Sequence, residues 1–563
     1  MANRRVKNKK TKGMYKYIVT GILLIVIAWI LNIAPNYVRD NIGDKVSLVI
    51  NNNNVTKKLK NDILIENNVI YISEDDIENY FDGEIHYDSQ YDQIITTSDT
   101  KVAALPINSK TIEINSSRVT VYAGAMKKDD KYYLPFSEIS KNVYNIETTY
   151  IKDTNTVVAV SLDRELVYAN SSKKNKVKYK PTAFSKNVDV IQRGDNVTVV
   201  KQQDNEKVPD GWTKVTTENG KIGYVKSNTL VNSQTMRNDF QIEKQIEGNI
   251  SIVWDYINYS FPNRNGKIEG VNVVSPTLIS LQKLGKGELD TRLGTNAVNY
   301  VTWAHNNGYK VWVLASNESM KDTTSEIVND YKLREKFINN VVDIVVKYNF
   351  DGVNLDFENI NMSDKDAYSR LIIELAPRLK ELGKVLSVDV TAPDGSEDWS
   401  LCFDRNKIAK VADYIVFMGY DQHGTSSSEP GTVAGYNWVE TNIGKFIDRE
   451  EIDPDKIILG MPFYTRIWSV QGDKFSSKIV FMDETYDSLP TNTKTTWLET
   501  EKQNYAEYTK GNTTYKVWIE DLDSIKEKIN LVSKYKLAGA AYWRKDMESE
   551  KVWDIISEKL NIK

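Results

Sequence analysis

Eight short apolar runs recur along the C-terminal half of the chain and constrain its fold more than any other feature. Amphipathic stretches separate the runs, and the stretch between the third and fourth runs carries apolar residues at helical spacing. Strands that alternate with helices predict an α/β fold, and eight such units predict a closed (β/α)8 TIM barrel over residues 247–563. About 70 residues separate the last two runs, and we expect part of them to form a small α+β insertion. The runs are NISIVWDYI, IEGVNVVSPT, YKVWVLASN, FDGVNLDFEN, VLSVDVTAP, ADYIVFMGYD, KIILGMPFY and LAGAAYWR.

The fourth run mixes apolar residues with acids, which are costly in a buried strand unless they are paired or used. Strand side chains alternate between two faces. This alternation predicts that the apolar residues face the helices, and that Asn354, Asp356 and Glu358 face the barrel interior. Glu358 falls nearest the C-terminal rim, where the active sites of TIM barrels lie. Asp351 falls on the other face at the start of the strand, so we expect Asp351 and Gly352 to have a structural role.

Several segments on the predicted strands resemble glycoside hydrolase family 18. DGVNLDFE resembles the family signature D-x-x-D-x-D-x-E, with Asn354 in place of the middle Asp. MGYD at 418–421, GMPFYTRIW at 460–468 and AAYW, which ends at Trp543, also lie on strands where the family has such segments. The resemblance covers residues 247–563. HGTSSSEPGTVAGYNWVE and VWIEDLDSIKEKI are similar to the bacterial subgroup that acts on peptidoglycan or spore cortex.

The resemblance implies a substrate-assisted, retaining mechanism, in which the acetamido oxygen of the sugar attacks C1. Glu358 would protonate the glycosidic oxygen and then act as a base toward water. Asp356 would hold the acetamido N–H and stabilise the developing positive charge. Tyr420 and Asp421 would help to position the acetamido group, and Trp543 would stack on the sugar. The mechanism requires a 2-acetamido sugar, so the implied partner is a GlcNAc- or MurNAc-containing polysaccharide.

Other residues near the predicted strand ends are weaker candidates. Those expected to bind substrate in the groove, or equally to be ordinary loop or barrel structure, are Tyr464, Arg466, Trp468 and His423. Asp389, in LSVDVTAP, is a rival acid on another strand, and weaker rivals are Asp394 and Asp255.

Asn354 bears on pH behaviour more than on activity. Three inward carboxylates would repel one another, so that at least one proton is retained and the apparent pKa values belong to the group. With Asn one charge is absent, and the amide can hydrogen-bond Asp356. We hypothesise that the Asp356–Glu358 pair alone carries the coupling and that activity peaks in mildly acidic to neutral conditions. The variant Asn354→Asp is then expected to shift the pH–rate profile and to preserve activity.

Composition excludes several classes of site. The net charge of −4 gives no overall basic field for nucleic acid. The single cysteine, Cys402, cannot form a disulfide within the chain. His86, His305 and His423 are far apart, and no Cys/His spacing resembles a zinc site. We therefore expect neither a metal nor a cofactor.

Two β-rich regions precede the barrel. Residues 36–165 contain an approximate internal repeat, NNVIYISEDDIENYF and DKYYLPFSEISKNVY, and resemble copper amine oxidase N-terminal-like domains of bacterial surface proteins. Because no copper-ligand spacing is present, we interpret this region as a stalk domain. Residues 175–233 show five short strand signals, and GDNVTVV, GWTKV and GKIGYV resemble a bacterial SH3-like domain.

The N-terminus has the pattern of a signal anchor. Residues 1–16 are basic, and residues 17–34 form an uncharged apolar run close to the length of about 20 residues that spans a bilayer. The excess of Lys and Arg before the run predicts a cytoplasmic N-terminus, with the stalk and catalytic domains extracellular. The alternative is a signal peptide that is cleaved. We expect a single-pass protein of the cell membrane, with the lipid bilayer as a partner.

Taken together, these features predict a membrane-anchored glycosidase that hydrolyses β-1,4 bonds of GlcNAc-containing glycans in peptidoglycan or spore cortex. The alternative enzyme is a chitinase. A different alternative is a glycan-binding envelope scaffold without catalytic activity, and the presence of Glu358 argues against it.

Overall fold

The computed structural model describes residues 15–26, 45–200, 207–236, 244–283 and 285–562. Eight parallel strands pair in sequence order, and the eighth pairs with the first, so the sheet closes into a barrel. This confirms the predicted TIM barrel. The strands are β1 Ile250–Asp255, β2 Val273–Leu281, β3 Lys310–Ser316, β4 Gly352–Asp356, β5 Val385–Val390, β6 Tyr414–Met418, β7 Ile457–Pro462 and β8 Gly539–Trp543; a short strand, Leu289–Thr291, pairs antiparallel with β2.

Helices surround the barrel, and aspartates cap several of them. Asp330, Asp404 and Asp521 each accept a hydrogen bond from a backbone N–H in the first turn of the helix that follows, as N-cap residues do. The helices are α1 Thr295–Asn306, α2 Lys321–Asn329, α3 Tyr331–Lys347, α4 Lys365–Glu381, α5 Arg405–Val411, α6 Tyr436–Asp448, α7 Leu522–Tyr535 and α8 Val552–Leu560; helical turns lie at Met362–Asp364, Glu397–Leu401 and Pro454–Lys456.

Strand alternation on β4 follows the prediction. Val353, Leu355 and Phe357 are fully buried in the apolar layer between strands and helices, where Phe357 packs against Phe337 of α3. Asn354 points into the barrel interior and hydrogen-bonds the β1 side chain of Trp254. The strand therefore presents apolar side chains to the helices and polar side chains to the barrel interior.

An insertion of antiparallel strands separates β7 from β8. In spatial order its strands are Lys474–Phe481, Tyr464–Gln471, Thr513–Ile519, Gln503–Lys510 and Thr495–Leu498. The prediction of an insertion is confirmed, but its α+β character is wrong, because residues 464–519 contain no helix. A fully buried ion pair joins the insertion to α7, with Lys528 Nζ 2.7 Å from Glu520 Oε2.

The region before the barrel has two parts. The first spans 47–161 and contains three sheets and two helices, Glu74–Tyr80 and Phe136–Tyr144. The first sheet has, in spatial order, the strands Ile146–Ile151, Thr156–Ser161, Ser47–Ile50 and Asn53–Asn54, and the second has Met126–Lys128, Lys131–Pro135, Val69–Ser73 and Leu64–Glu66. The third sheet has His86–Asp88, Gln93–Thr97, Val102–Pro106, Thr111–Ile114 and Ser117–Thr120. Short helical turns lie at Thr56–Lys58 and Lys152–Thr154.

The second part is a seven-stranded antiparallel sheet over 166–236, wider than the predicted 175–233. The identification of this part as an SH3-like domain stays a prediction. Its strands, in spatial order, are Asn187–Ile191, Asn175–Lys178, Ile222–Lys226, Trp212–Thr217, Asn196–Val199, Leu166–Ser171 and Leu230–Met236, with a turn at Ser227–Thr229.

The domain at 47–161 packs against the side of the barrel. Ile95, Val102 and Ala104 form one buried apolar cluster with Tyr331 at the start of α3. Beside this cluster the Tyr91 hydroxyl donates to Asp330 Oδ2 at 2.9 Å. The N-terminal domain is thus joined to the outer helices of the barrel.

The predicted transmembrane helix is wrong. A helix covers residues 15–26, and the remainder of the predicted 17–34 segment lies outside the described residues, as do residues 1–14. In the part of the chain that the structure describes, no helix has the length and apolar character needed to cross a bilayer. This finding contradicts the predicted location in the cell membrane and gives no support to the predicted contact with lipid.

Candidate functional site

A cavity of about 520 Å³ lies at the C-terminal end of the barrel strands. Asp356 and Glu358 line it from β4 and the residues just after it, and Trp543 lines it from the end of β8. The β1–β3 side of the wall is formed by Tyr256, Asn258, Thr277, Ile279, Ser280, Leu281, Leu314, Ser316, Asn317 and Glu318. Two carboxyl groups and an indole therefore share one concave space at the end where TIM-barrel chemistry occurs.

Asp356 and Glu358 are both shifted toward the protonated form. Burial, followed by the charges of Asp389 and Glu318, raises the pKa of Asp356 well above its ordinary range. Burial, followed by the charges of Asp356 and Asp421, raises the pKa of Glu358 to about 8. One oxygen of Asp356, Oδ1, is buried and has no hydrogen-bond partner among the described residues. The cavity thus contains an acid that keeps its proton at neutral pH and an acceptor oxygen without a donor.

Asn317, directly after β3, holds the backbone of Glu358. Its Oδ1 accepts from the Glu358 N–H at 2.9 Å, and its Nδ2 donates to the Glu358 carbonyl at 2.8 Å. The same Nδ2 donates to Thr324 Oγ1 at 3.0 Å. Because the Asn317 side chain is buried and bonded on both sides, it fixes the chain where β4 ends.

Asn354 hydrogen-bonds Asp389 and not, as hypothesised, Asp356. Its Nδ2 donates to Asp389 Oδ1 at 2.6 Å and to Ser387 Oγ at 3.1 Å, both on β5. Its Oδ1 accepts from Trp254 Nε1 at 2.7 Å. Asp389, a rival acid in the sequence, therefore belongs to the same cluster as the acids of β4.

Aromatic side chains form the other side of the barrel mouth. The ring of Trp254 lies edge-on to Tyr420 and Trp543, with centroids 6.5 and 5.8 Å apart. Burial, followed by the charges of Asp389 and Asp356, raises the pKa of the Tyr420 hydroxyl well above its ordinary range. The predicted site residues Tyr420 and Trp543 thus meet around the buried ring of Trp254, and Trp543 also reaches the cavity.

Asp421 follows β6 and is held by the first strand of the insertion. The Tyr464 hydroxyl donates to Asp421 Oδ1 at 2.7 Å, and Arg466 lies 3.7 Å from the same oxygen. Arg466 also donates to Thr425 Oγ1 and Ser477 Oγ, each at 3.1 Å. The structure therefore brings Tyr464 and Arg466 together around Asp421, where they orient that side chain.

Asp351 lies at the opposite end of the barrel. Its Oδ2 accepts from the Val311 N–H at 2.9 Å and lies 2.7 Å from His305 Nε2. Gly352 has no room for a side chain, since an added Cβ would lie 2.6 Å from the Val385 carbonyl oxygen. Both positions lie at the start of β4, away from the cavity at its other end, and their structural role stays a prediction.

The remaining candidates have partners of their own. Asp255 is bound through two oxygens by Arg264, at 2.9 and 2.7 Å. Asp394 pairs with Lys445 and Arg449 at the surface, each at 2.6 Å. Trp468 is buried and donates to the Gly431 carbonyl, and His423 Nδ1 lies 3.4 Å from the Thr432 carbonyl oxygen.

Sequence reasoning undervalued Asp389 and did not identify Asn317. The signal for Asp389 was present, because Ser387 and Asp389 alternate with Leu386, Val388 and Val390 as the polar residues of β4 do. The signal for Asn317 was only its position as the last residue of the predicted run YKVWVLASN, and many loop residues hold such a position.

The family model for glycosyl hydrolases family 18 matches residues 198–548, and that for the copper amine oxidase N-terminal domain matches 49–159, which confirms the predicted resemblance of the N-terminal region. The uncharacterized glycosylase YvbX of Bacillus subtilis is 28% identical over 300 residues, 51% of this chain and 84% of that protein. The cortical fragment-lytic enzyme of Bacillus subtilis is 24% identical over 260 residues, 44% of this chain and 58% of that protein.

Among solved structures, a chitinase from Chromobacterium violaceum is 20% identical and superposes with a TM-score of 0.49 over 55% of this chain and 99% of that chain. The family 18 match spans more than half of the present chain and includes β4 with both acids of the cavity. The chain therefore belongs to family 18 of the glycosyl hydrolases.

Proposed function

We propose that the chain hydrolyses β-1,4 bonds next to N-acetylglucosamine in peptidoglycan or spore cortex, with retention of configuration at C1. One observation carries the proposal: the unpartnered Asp356 Oδ1 lies beside Glu358 in the cavity at the end of the barrel. A buried acceptor without a donor is suited to an N–H group that the substrate brings. The acetamido N–H of a 2-acetamido sugar is such a donor.

The reaction has two steps. In the first, the Glu358 carboxyl gives its proton to the glycosidic oxygen while the acetamido oxygen attacks C1 and the C1–O bond breaks. The product is an oxazolinium-type ring, and Asp356 stabilises its positive charge through the ring N–H. In the second, water attacks C1, Glu358 takes the proton of the water, and the ring opens to restore the acetamido group.

The environment of Glu358 suits the first step. Burial and the neighbouring charges of Asp356 and Asp421 raise its pKa to about 8, so the carboxyl is protonated at neutral pH before substrate arrives. Asp421, held by Tyr464, and the hydroxyl of Tyr420 are the groups that we assign to orienting the acetamido group. Trp543 is the surface on which the sugar ring stacks.

Peptidoglycan or cortex is the favoured substrate class because the cortical fragment-lytic enzymes of Bacillus are among the relatives. Chitin is the second candidate, since a probable chitinase of Drosophila melanogaster is 27% identical over 29% of this chain and 35% of that protein. The two substrates share the 2-acetamido sugar that the mechanism needs and differ in the lactyl and peptide groups of muramic acid.

Sugar release by the full-length chain from purified cortex peptidoglycan and from chitin oligosaccharides tests the proposal. Glu358→Gln keeps the shape of the side chain and removes the transferable proton, so we expect release to fall by at least 10³-fold. The matched control is Glu326→Gln, on the exposed face of α2, which should behave as wild type. NMR of the first product should show the β-anomer. Binding without release by the wild-type protein would favour the scaffold alternative, and an initial α-anomer would contradict the retaining mechanism.

A further inference from the structure

A hydrogen bond inside the barrel joins Asn354 on β4 to Asp389 on β5. We propose that Asp389 on β5 is a positioning residue of the hydrolase site, which supplies inside the barrel the carboxyl group that position 354 lacks and which Asn354 holds in place. The inference rests on the proposed function, because Asp389 acts through Asp356 and Glu358 and not on the sugar.

The orientation of the Asn354 amide follows from Trp254. An indole N–H can only donate, so the amide oxygen must face Trp254 Nε1, at 2.7 Å. The amide NH₂ then faces β5, where it donates to Asp389 Oδ1 at 2.6 Å and to Ser387 Oγ at 3.1 Å. Asp389 therefore accepts a hydrogen bond from an amide whose orientation is fixed by Trp254.

Asn at position 354 and Asp at position 389 depend on each other. An Asp at position 354 would place a second carboxyl oxygen about where the amide nitrogen now lies, 2.6 Å from Asp389 Oδ1. Two carboxylates at that distance cannot both be ionised, so one of them would have to keep a proton. The amide avoids this repulsion and leaves one acid, on β5 instead of β4.

The groups that face Asp389 are acids and neutral hydrogen-bonding side chains. They are Asn354, Asp356 and Glu358 on or just after β4, Tyr420 after β6 and Tyr368 on α4. On β5 itself, Ser387 bonds the same Asn354 amide. Burial raises the pKa of Asp389 well above its ordinary range; the Asn354 hydrogen bond opposes this shift, and the Glu358 charge adds to it. Asp389 is 1% exposed, so water screens these interactions little.

Three coupled carboxyl groups release their protons as a set. Each negative charge on one member makes ionisation of the others harder, so the number of acids decides the pH at which the last proton leaves. Because Glu358 must be protonated for the first step, that pH sets the alkaline limb of the rate profile. Asp389 thus keeps the acid of the site protonated at higher pH than the two acids of β4 alone would.

A charge-relocation series tests the proposal in the full-length chain. In Asp389→Asn one acid is removed, and we expect the alkaline limb of kcat/KM to move to lower pH by about one pH unit. In Asn354→Asp one acid is added, and we expect a move to higher pH by a similar amount. In the double variant the number of acids is restored, so the alkaline limb should return to within about 0.3 pH unit of its wild-type position.

Ser387→Ala is the matched control, because it removes the other partner of the same amide and changes no charge. A purely structural role of Asp389 predicts that Asp389→Asn behaves like Ser387→Ala, with lower kcat and thermal stability but an unmoved alkaline limb. That result would overturn the proposal. A double variant whose alkaline limb lies at the same pH as that of either single variant would also overturn it.

Infrared titration of the protonated carboxyl band follows the same protons without substrate. In Asp389→Asn the midpoint should fall below that of wild type, and an unchanged midpoint would overturn the proposal even if Asn354→Asp does not fold. If the wild-type chain releases no sugar, the proposed function fails. The infrared midpoint still decides whether Asp389 sets the pH at which the coupled carboxyl groups lose their protons.

Discussion

Replacing the proposed catalytic acid should make the barrel more stable at alkaline pH. The pKa of Glu358 is raised from its ordinary 4.5 to about 8 by burial and by the charges of Asp356 and Asp421. The folded state therefore keeps this proton where the unfolded chain has lost it, and stability falls as pH rises from about 4.5 through about 8. Integrated over that window, the ionisable group costs the folded state about 1 kcal/mol at pH 5 and about 4 kcal/mol at pH 8.

The variant Glu358→Gln has nearly the shape of the protonated acid and cannot ionise. Calorimetric or urea unfolding of wild type and variant at pH 5 and pH 8 measures the difference. We expect a gain of about 1 kcal/mol at pH 5 and about 4 kcal/mol at pH 8 for Glu358→Gln. The control Glu326→Gln replaces an exposed carboxylate on α2 and should show the pH dependence of wild type. An equal gain at both pH values, or none at either, would refute the reasoning.

Three further predictions concern residues that hold the site and the domains. Asn317→Ala releases the backbone of Glu358 and should lower kcat about 10²-fold, whereas Asn442→Ala, which removes an equally buried amide on α6, should lower only the melting temperature. Lys528→Met leaves its buried carboxylate partner unpaired and should cost about 3–5 kcal/mol in urea unfolding; a smaller loss would mean that water reaches the pair. Tyr331→Ala should cost about 3 kcal/mol and separate the calorimetric transitions of barrel and N-terminal domain at unchanged kcat/KM, and a single shared transition would contradict this.

Much of the barrel and of its acid strand could be predicted because both depend on short-range periodicity. A period of two along β4 is enough to place Asn354 and Asp356 inside the barrel. The partner of Asn354 could not be predicted, because it depends on the register of β5 against β4, in which Asn354 lies opposite Ser387 and beside Asp389. Register is set by the packing of the whole barrel, which no local pattern encodes.

Elsewhere in the chain, too, local patterns predicted the strands but not their long-range pairing. The short strands of 47–161 were evident from alternating residues, while the antiparallel character of the insertion and the extra strand Leu166–Ser171 of the seven-stranded sheet depend on long-range pairing. The transmembrane prediction failed for a different reason: hydropathy counts apolar residues along the chain, whereas a span also needs a helix of sufficient length and apolar character, which no helix among the described residues has.

The contact between the N-terminal domain and α3 has a consequence for the order in which the chain is made. Ile95, Val102 and Ala104 are covered by Tyr331, which follows Ala104 by more than 200 residues. At about 5–20 residues per second, a ribosome needs roughly 10–50 s to bring Tyr331 out after these residues. Throughout that interval the apolar face of the first domain is exposed. The nascent chain is therefore most prone to misfolding and to chaperone binding before its barrel has folded.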